Sequence, residues 1–237
     1  MERMTTHGKR IGGNAVSEFL KAIRDRDTDL LREILKKNPR LAGATDKQGV
    51  SALLLALYHH NEESVNILLS YLTEFSIFEA AALGYRDVVA QIIKKNTKLA
   101  NDVSNDGFGP LGLAVFFGHY HTAEYLIELG ADVNRPSSNK MRVRPLHSAA
   151  ANKDMALALR LSERLIKAGA DVNVSQNGGW TPLHQAAAHG NTDLVHMLLR
   201  YGANPNARAE DGHIPQDMVP KEMSELKKLL KPRKLDS

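Results

Sequence analysis

The sequence predicts an all-α solenoid: about seven helix-turn-helix units stacked in a row, joined by short extended fingers and closed by a capping unit at each end. Three observations predict it. Pro182-Leu183-His184 recurs as Pro145-Leu146-His147 and, degraded, as Pro110-Leu111-Gly112. Gly202-Ala203-Asn204-Pro205-Asn206 recurs as Gly169-Ala170-Asp171-Val172-Asn173 and Gly130-Ala131-Asp132-Val133-Asn134. Between the two motifs, always in the same order, lie an alanine-rich helical stretch and a leucine-rich one. A unit of this size cannot bury its own apolar face, so its neighbours must cover it.

The stretch 178–210 shows the unit most clearly. Thr181 is a favourable N-cap and Pro182 suits the first helical position, where its missing N–H costs nothing. Ala186, Ala187 and Ala188 give a small helix face that lets a neighbouring helix approach closely. Gly190 breaks that helix. Leu194, Val195, Leu198 and Leu199 then form the buried stripe of a second helix, which Gly202 ends.

With these linked motifs the sequence resembles the ankyrin repeat, whose period is about 33 residues. Residues 73–219 are also similar to the small stand-alone ankyrin proteins common in bacteria, through Ile77-Phe78-Glu79-Ala80-Ala81-Ala82-Leu83-Gly84 and Phe116-Phe117-Gly118-His119. The resemblance implies an ankyrin repeat solenoid with terminal capping repeats.

Composition bounds the alternatives. A chain of 237 residues with 43% hydrophobic content can fill a continuous core. No cysteine is present, which removes disulfides and thiolate metal sites and fits a reducing, cytoplasmic setting. The polar start, Met1 to Arg10, is not a secretory signal, and the apolar run Ala52 to Tyr58 is too short to span a bilayer. The net charge of +4 is unevenly spread. Arg3, Lys9 and Arg10 stand against Glu2 at one end; Lys221, Lys227, Lys228, Lys231, Arg233 and Lys234 stand against Glu222, Glu225 and Asp236 at the other. The body between the two ends is slightly acidic and is not built for phosphates.

In chain order, 1–14 reads as a flexible lead, with Gly12-Gly13 followed by no phosphate-loop lysine. Units then fall near 15–45, 46–72, 73–105, 106–139, 140–177 and 178–210 within an array over 15–220, followed by a capping unit at 211–230 and a basic tail at 231–237. The first unit aligns with the third down to its exit, Lys36 to Ala42 against Lys94 to Ala100. The N-cap slots, 17, 51, 75, 109, 144, 181 and 214, are spaced by 34, 24, 34, 35, 37 and 33 residues. The short interval predicts a tight connection near Leu72-Thr73-Glu74 without a finger, with Ser76 and Glu79 as a capping box one position late. The long one predicts a second helix lengthened by one turn through Ala156 to Leu159. The last unit has Asp217 where the family has histidine, and Glu222 to Leu230 reads as its amphipathic helix.

Ten histidines invite a metal or catalytic reading. His147 and His184, however, occupy the Pro-Leu-His slot, where the family's ring bonds to nearby backbone or hydroxyl groups. His59-His60 and His119-Tyr120-His121 lack an acidic or third histidine partner at ligand spacing. No nucleophile elbow, H-E-x-x-H helix or P-loop occurs. Asp46, Asp106, Asp132, Asp171 and Asp211 fall on repeat-fixed turns. The chain is therefore read as no enzyme, with no cofactor and no metal; an unrecognised metal-binding or hydrolytic protein is the remote alternative.

Function is sought at slots that the repeat leaves free. In ankyrin proteins these are the finger tips and inner-helix exits lining a concave groove. Here they hold Val50, Phe108, Val143, Trp180 and His213 at finger tips, and Tyr58, His59, Phe116, Phe117, Asn152 and His189 at helix exits. Aromatic residues make up only 5% of the chain, so their concentration here marks a partner-binding face. The expected function is a non-catalytic protein–protein interaction scaffold, monomeric and off the membrane. Nucleic-acid or anionic-ligand association through the basic termini is the alternative.

Overall fold

The computed structural model describes residues 13–231. Residues 1–12 of the lead expected over 1–14, and 232–237 of the tail expected over 231–237, lie outside the described residues. The chain divides into two compact units at the 79/80 boundary.

In the first unit, α1 (Gly13–Asp25) and α2 (Thr28–Lys37) pair, then a 3-10 turn (Pro39–Gly43) leads to a finger and to α3 (Ala52–Tyr58) and α4 (Glu62–Leu69). The α1 helix lies beside α3 and α2 beside α4, so one layer of helices backs another. Ser51 caps α3 by accepting from the Leu54 N–H at 3.2 Å, and Asp27 and Asn61 cap α2 and α4 in the same way. The finger is short: Asp46 and Val50 close it through a backbone bond, and Gly49 takes the left-handed turn position. The helix α1 begins at Gly13, within the stretch 1–14 expected as a lead, and Ser17, the expected cap slot, lies inside it. The extra turn half-buries Ala15 and Val16, which the repeat register leaves outside the helix.

After α4 no finger forms. Leu72 N–H bonds back to Leu68, and four residues later Ser76 and Glu79 form the reciprocal capping box: Ser76 N–H donates to Glu79 Oε2 at 2.9 Å, and Glu79 N–H to Ser76 Oγ at 3.2 Å. This starts α5 (Ile77–Ala82).

In the second unit, α6 (Arg86–Lys95) is followed by a 3-10 turn (Thr97–Asn101), then by three helix pairs. They are α7 (Pro110–Phe116) with α8 (Tyr120–Glu128), α9 (Pro145–Ala150) with α10 (Met155–Lys167), and α11 (Pro182–Ala188) with α12 (Thr192–Arg200). The helices α7, α9 and α11 stand side by side, as do α6, α8, α10 and α12. Alanines at the inner contacts, Ala114, Ala149, Ala150, Ala186 and Ala187, are buried and permit that approach. The helix α10 has 13 residues against 9 in α12, so the long interval is one added turn. The closing unit departs from a full helix pair. It has a 3-10 turn (Pro215–Met218) and a six-residue α13 (Ser224–Leu229), shorter than the Glu222 to Leu230 expected. Pro220 and the lysine- and glutamate-rich flank leave only Leu226 and Leu230 to bury there.

Candidate functional site

Four fingers of the second unit carry the candidate residues. Each closes on itself through a backbone bond: Ser104 to Phe108, Ser137 to Val143, Gln176 to Trp180 and Ala209 to His213. Neighbouring fingers are joined as well, by Ser138 N–H to Gly107 O (2.8 Å), Asn177 N–H to Met141 O (2.9 Å) and Glu210 N–H to Gly178 O (2.9 Å).

Behind the fingers stand two buried histidines. His147 Nδ1 accepts from the Arg144 N–H (3.3 Å), and its Nε2–H donates to the Trp180 carbonyl (3.1 Å), one repeat ahead. His184 repeats the pattern: Nδ1 accepts from the Thr181 N–H (3.1 Å) and hydroxyl (2.8 Å), and Nε2–H donates to the His213 carbonyl (3.3 Å). One nitrogen accepts and the other donates, so both rings must be neutral. Burial does hold them there. It pushes the His147 pKa down to about 4, with Arg144 adding to the effect and the Trp180 carbonyl opposing it. His184 is lowered for the same first reason. Asp217 performs the accepting half of the task, taking the Ile214 N–H at 2.9 Å.

The backbone of Trp180 is thus fixed from behind, and its ring lies at the tip. The indole is half-buried. It sits edge-on to His184 (5.2 Å, 78°) and nearly parallel to His213 on the next finger (6.4 Å, 20°). The ring also lies against Gly178, where a Cβ would come within 3.0 Å of it. His213 is exposed, and its Nδ1 lies 3.0 Å from Asp211 Oδ1. The His213 N–H first, and its ring second, hold the Asp211 carboxyl below its usual pKa.

The fourth unit lacks this bolt, because Gly112 stands in the histidine slot. A cavity of about 20 Å³ opens there, lined by Phe108, Gly112, Arg135, Val143 and Ser148 among others. Phe108 is half-buried, 3.9 Å from where a Gly112 Cβ would lie, and Val143 is half-buried across from it.

At the helix exits, Phe116 is 47% exposed and meets the half-buried Phe117 edge to face at 5.0 Å. His189 is half-buried at the end of α11. The half-buried Asn152 accepts at Oδ1 from the Asp154 N–H at 2.9 Å, and its amide lies 3.4 Å from the Cβ position of Gly118. The remaining three belong to the first unit. Val50 is half-buried with its N–H on Asp46 Oδ1, Tyr58 is half-buried, and exposed His59 offers its carbonyl to Arg26 at 2.8 Å. Among the described residues no group of three histidines, aspartates or glutamates converges to hold a metal ion, and no helix is long and apolar enough to cross a membrane.

Sequence reasoning passed over the tip of the third of these fingers in chain order from Val50, residues 137–143. It carries Lys140, Met141 and Arg142, all exposed. The signal available was the 35-residue interval between the cap slots at 109 and 144, which lengthens this finger.

Helical pairs, hydrogen-bonded fingers and a histidine bolt repeated at one-unit spacing define a repeat protein whose free side chains lie along the fingers. Comparison with known proteins gives the class its name. A family model described as ankyrin repeats (3 copies) matches residues 137–209, and one described as ankyrin repeat matches 106–138. The chain is 30% identical over 202 residues to the probable 26S proteasome regulatory subunit p28 of Saccharomyces cerevisiae, covering 76% of this chain and 86% of that protein. It is 38% identical over 72 residues to protein phosphatase 1 regulatory subunit 27 of Homo sapiens, covering 30% of this chain and 47% of that one. It is 30% identical over 191 residues to the tyrosine-protein kinase Shark of Drosophila melanogaster, which is 80% of this chain but 17% of the kinase. The chain belongs to the ankyrin repeat family. It spans less than half the length of the phosphatase subunit and most of p28.

Proposed function

We propose that this chain is a non-catalytic scaffold that holds a protein partner along the finger tips and helix exits of its second unit. One observation carries the reading: rings presented at finger tips stand on backbones that are already fixed. Trp180 and His213 offer their side chains, while His147 and His184 bond the carbonyls of those same residues from within the core. An anchor ordered in advance loses little freedom when a partner closes over it. Phe108, Phe116, Phe117, Val143 and His189 extend the face, and Val50, Tyr58 and His59 fill the equivalent slots of the first unit. Two of the relatives are named as regulatory subunits, which accords with a protein that acts by holding another. On this reading it works in the cytoplasm, with which the cysteine-free composition accords, as a monomer and without a cofactor. The likeness to small bacterial ankyrin proteins rests on the matching residues alone.

The test is Trp180→Ala in the full chain, set against a partner captured from the native cell by the unaltered protein. The expected result is a stability loss of about 1 kcal/mol and an affinity loss of about 2 kcal/mol or more. Unchanged affinity for that partner would remove Trp180 from the site, and a stability loss of several kcal/mol would make it a core residue.

A further inference from the structure

The finger at residues 137–143 differs from its neighbours in charge and in backbone. In the other four fingers the residue before the tip is a glycine in the left-handed region: Gly49 (φ 83°), Gly107 (91°), Gly179 (78°) and Gly212 (88°). Here the same position is Arg142, at φ 50°. A side chain is disfavoured in that conformation, and such outliers gather where a residue's chemistry is needed. Arg142 and Lys140 are exposed and carry no ion pair or hydrogen bond from their side chains among the described residues. Between them Met141 is 51% exposed. At the base of the finger two more cations are tied to carbonyls, Arg135 to Asn101 O (2.7 Å) and Arg144 to Asn134 O (3.0 Å) and Ser175 O (2.8 Å). They keep their charge while their donors are used.

The inner helices α7, α9 and α11 contain no aspartate or glutamate, and neither does the adjoining finger at residues 175–180. Of the other carboxylates of the second unit, Asp132 lines the cavity at the finger's base with Arg135 and Arg144, whereas Glu124 and Glu128 lie on α8, Glu163 on α10, Asp193 on α12, and Asp211 against His213. Asp106, on the preceding finger, is engaged with Ser104 Oγ.

Resting on the scaffold reading above, we propose that the partner segment seated on this face is an acidic polypeptide with an apolar side chain between its carboxylates. The carboxylates meet Arg142 and Lys140, and the apolar group lies on Met141 towards Phe108 and Trp180 on the flanking fingers. Charge complementarity argues for acid; the apolar centre argues for polypeptide. A nucleic-acid strand is the poorer occupant, because two unengaged cations neutralise few phosphates.

The test uses the full chain as bait for a displayed library of random dodecapeptides. Recovered sequences are expected to be enriched in aspartate and glutamate flanking leucine, phenylalanine or tryptophan. Fluorescence of the single tryptophan, Trp180, then titrates a synthetic copy of the most enriched peptide. Arg142→Gly should raise the melting temperature, by relieving the left-handed residue, and weaken that peptide at least tenfold. Lys140→Ala should weaken it severalfold with the melting temperature unchanged, and raising salt should weaken both. Enrichment of peptides without acidic bias that still require Trp180 would overturn the acidic partner and leave the scaffold standing. A library that yields no binder would count against the scaffold itself. Tighter binding of a labelled oligothymidylate, lost in Arg142→Gly, would replace the polypeptide with a nucleic acid.

Discussion

The two compact units join their repeats with different bonds. In the second, three asparagines form a ladder. Asn101 donates to Gly130 O (3.0 Å) and accepts from the Asp132 N–H (2.7 Å); Asn134 does the same to Gly169 and Asp171, and Asn173 to Gly202 and Asn204. In the first unit the position that aligns with Asn101 is Gly43, whose side-chain direction is open space. The reason lies one repeat later. The unit ending in Leu69-Ser70-Tyr71-Leu72 has no Gly-Ala-Asp turn, so an asparagine at 43 would find no carbonyl or N–H to bridge. The first unit relies instead on Asn61 to Ile23 O (3.1 Å), Arg26 to His59 O and the exposed Arg32–Glu63 pair. The first and the last of these have counterparts in the second unit, where Asn191 reaches Met155 O, His119 reaches Ala82 O, and Arg164 on α10 lies 3.6 Å from Glu124 on α8. A ladder bond therefore needs the Gly-Ala turn of the following repeat, and is lost where that turn is missing.

Removing a bolt should break this contrast most sharply. His147→Ala leaves the Arg144 N–H without its acceptor, frees the Trp180 carbonyl and opens a cavity in a 1% exposed site, for an expected loss of about 3 kcal/mol by urea denaturation. A loss under 1 kcal/mol would mean that the finger row holds without its bolts.

Acid should act on the same bolts. The His147 pKa is near 4 in the folded protein against an ordinary 6.5, so the unfolded chain binds the proton more readily. Its contribution is fully present above pH 6.5 and is lost as pH falls from there towards 4, an effect on the order of 3 kcal/mol. His184 and His119, also lowered by burial, add in the same direction. All three lie in the second unit, whereas His59 and His60 of the first are exposed. Amide hydrogen exchange compared at pH 7 and pH 4.5, after correction for intrinsic rates, should lose protection mainly over residues 144–215. Equal loss over residues 13–79 would refute this assignment.

The smallest effect comes from exchanging the ladder residue. Asn101→Gly removes two cross-repeat bonds and should cost about 1–2 kcal/mol, while Gly43→Asn should change stability by less than about 0.5 kcal/mol. A clear gain from Gly43→Asn in thermal melts would show that the first unit offers a partner after all.

The repeat architecture was legible because its motifs recur in fixed order, and the added turn in α10 and the Ser76–Glu79 box were legible as departures from the period. The beginning of α1 was not, since Gly12-Gly13 reads as a chain break and no capping residue marks Gly13. At the candidate site the slots could be named, but not their support. The bond from His147 to Trp180 spans 33 residues, one whole unit, and is visible only if side chains are compared with the following repeat. The ladder asparagines recur as plainly as the aspartates beside them, yet their bonds also cross to the next unit. Arg142 was missed for a different reason: nothing in its residue type announces a left-handed backbone.

The long α10 also says something about how such a chain can change during descent. Four residues more than α12 advance a helix by about 6 Å and turn it by about 400°, so the faces before and after the insertion agree to within about 40°. Ala158, Leu161, Ser162, Leu165 and Ile166 accordingly still point inward. Two added residues would have turned the later leucines to solvent. By this geometry the angle an insertion adds matters more than its length, and four residues are the smallest insertion that keeps the buried stripe within about 40° of its direction.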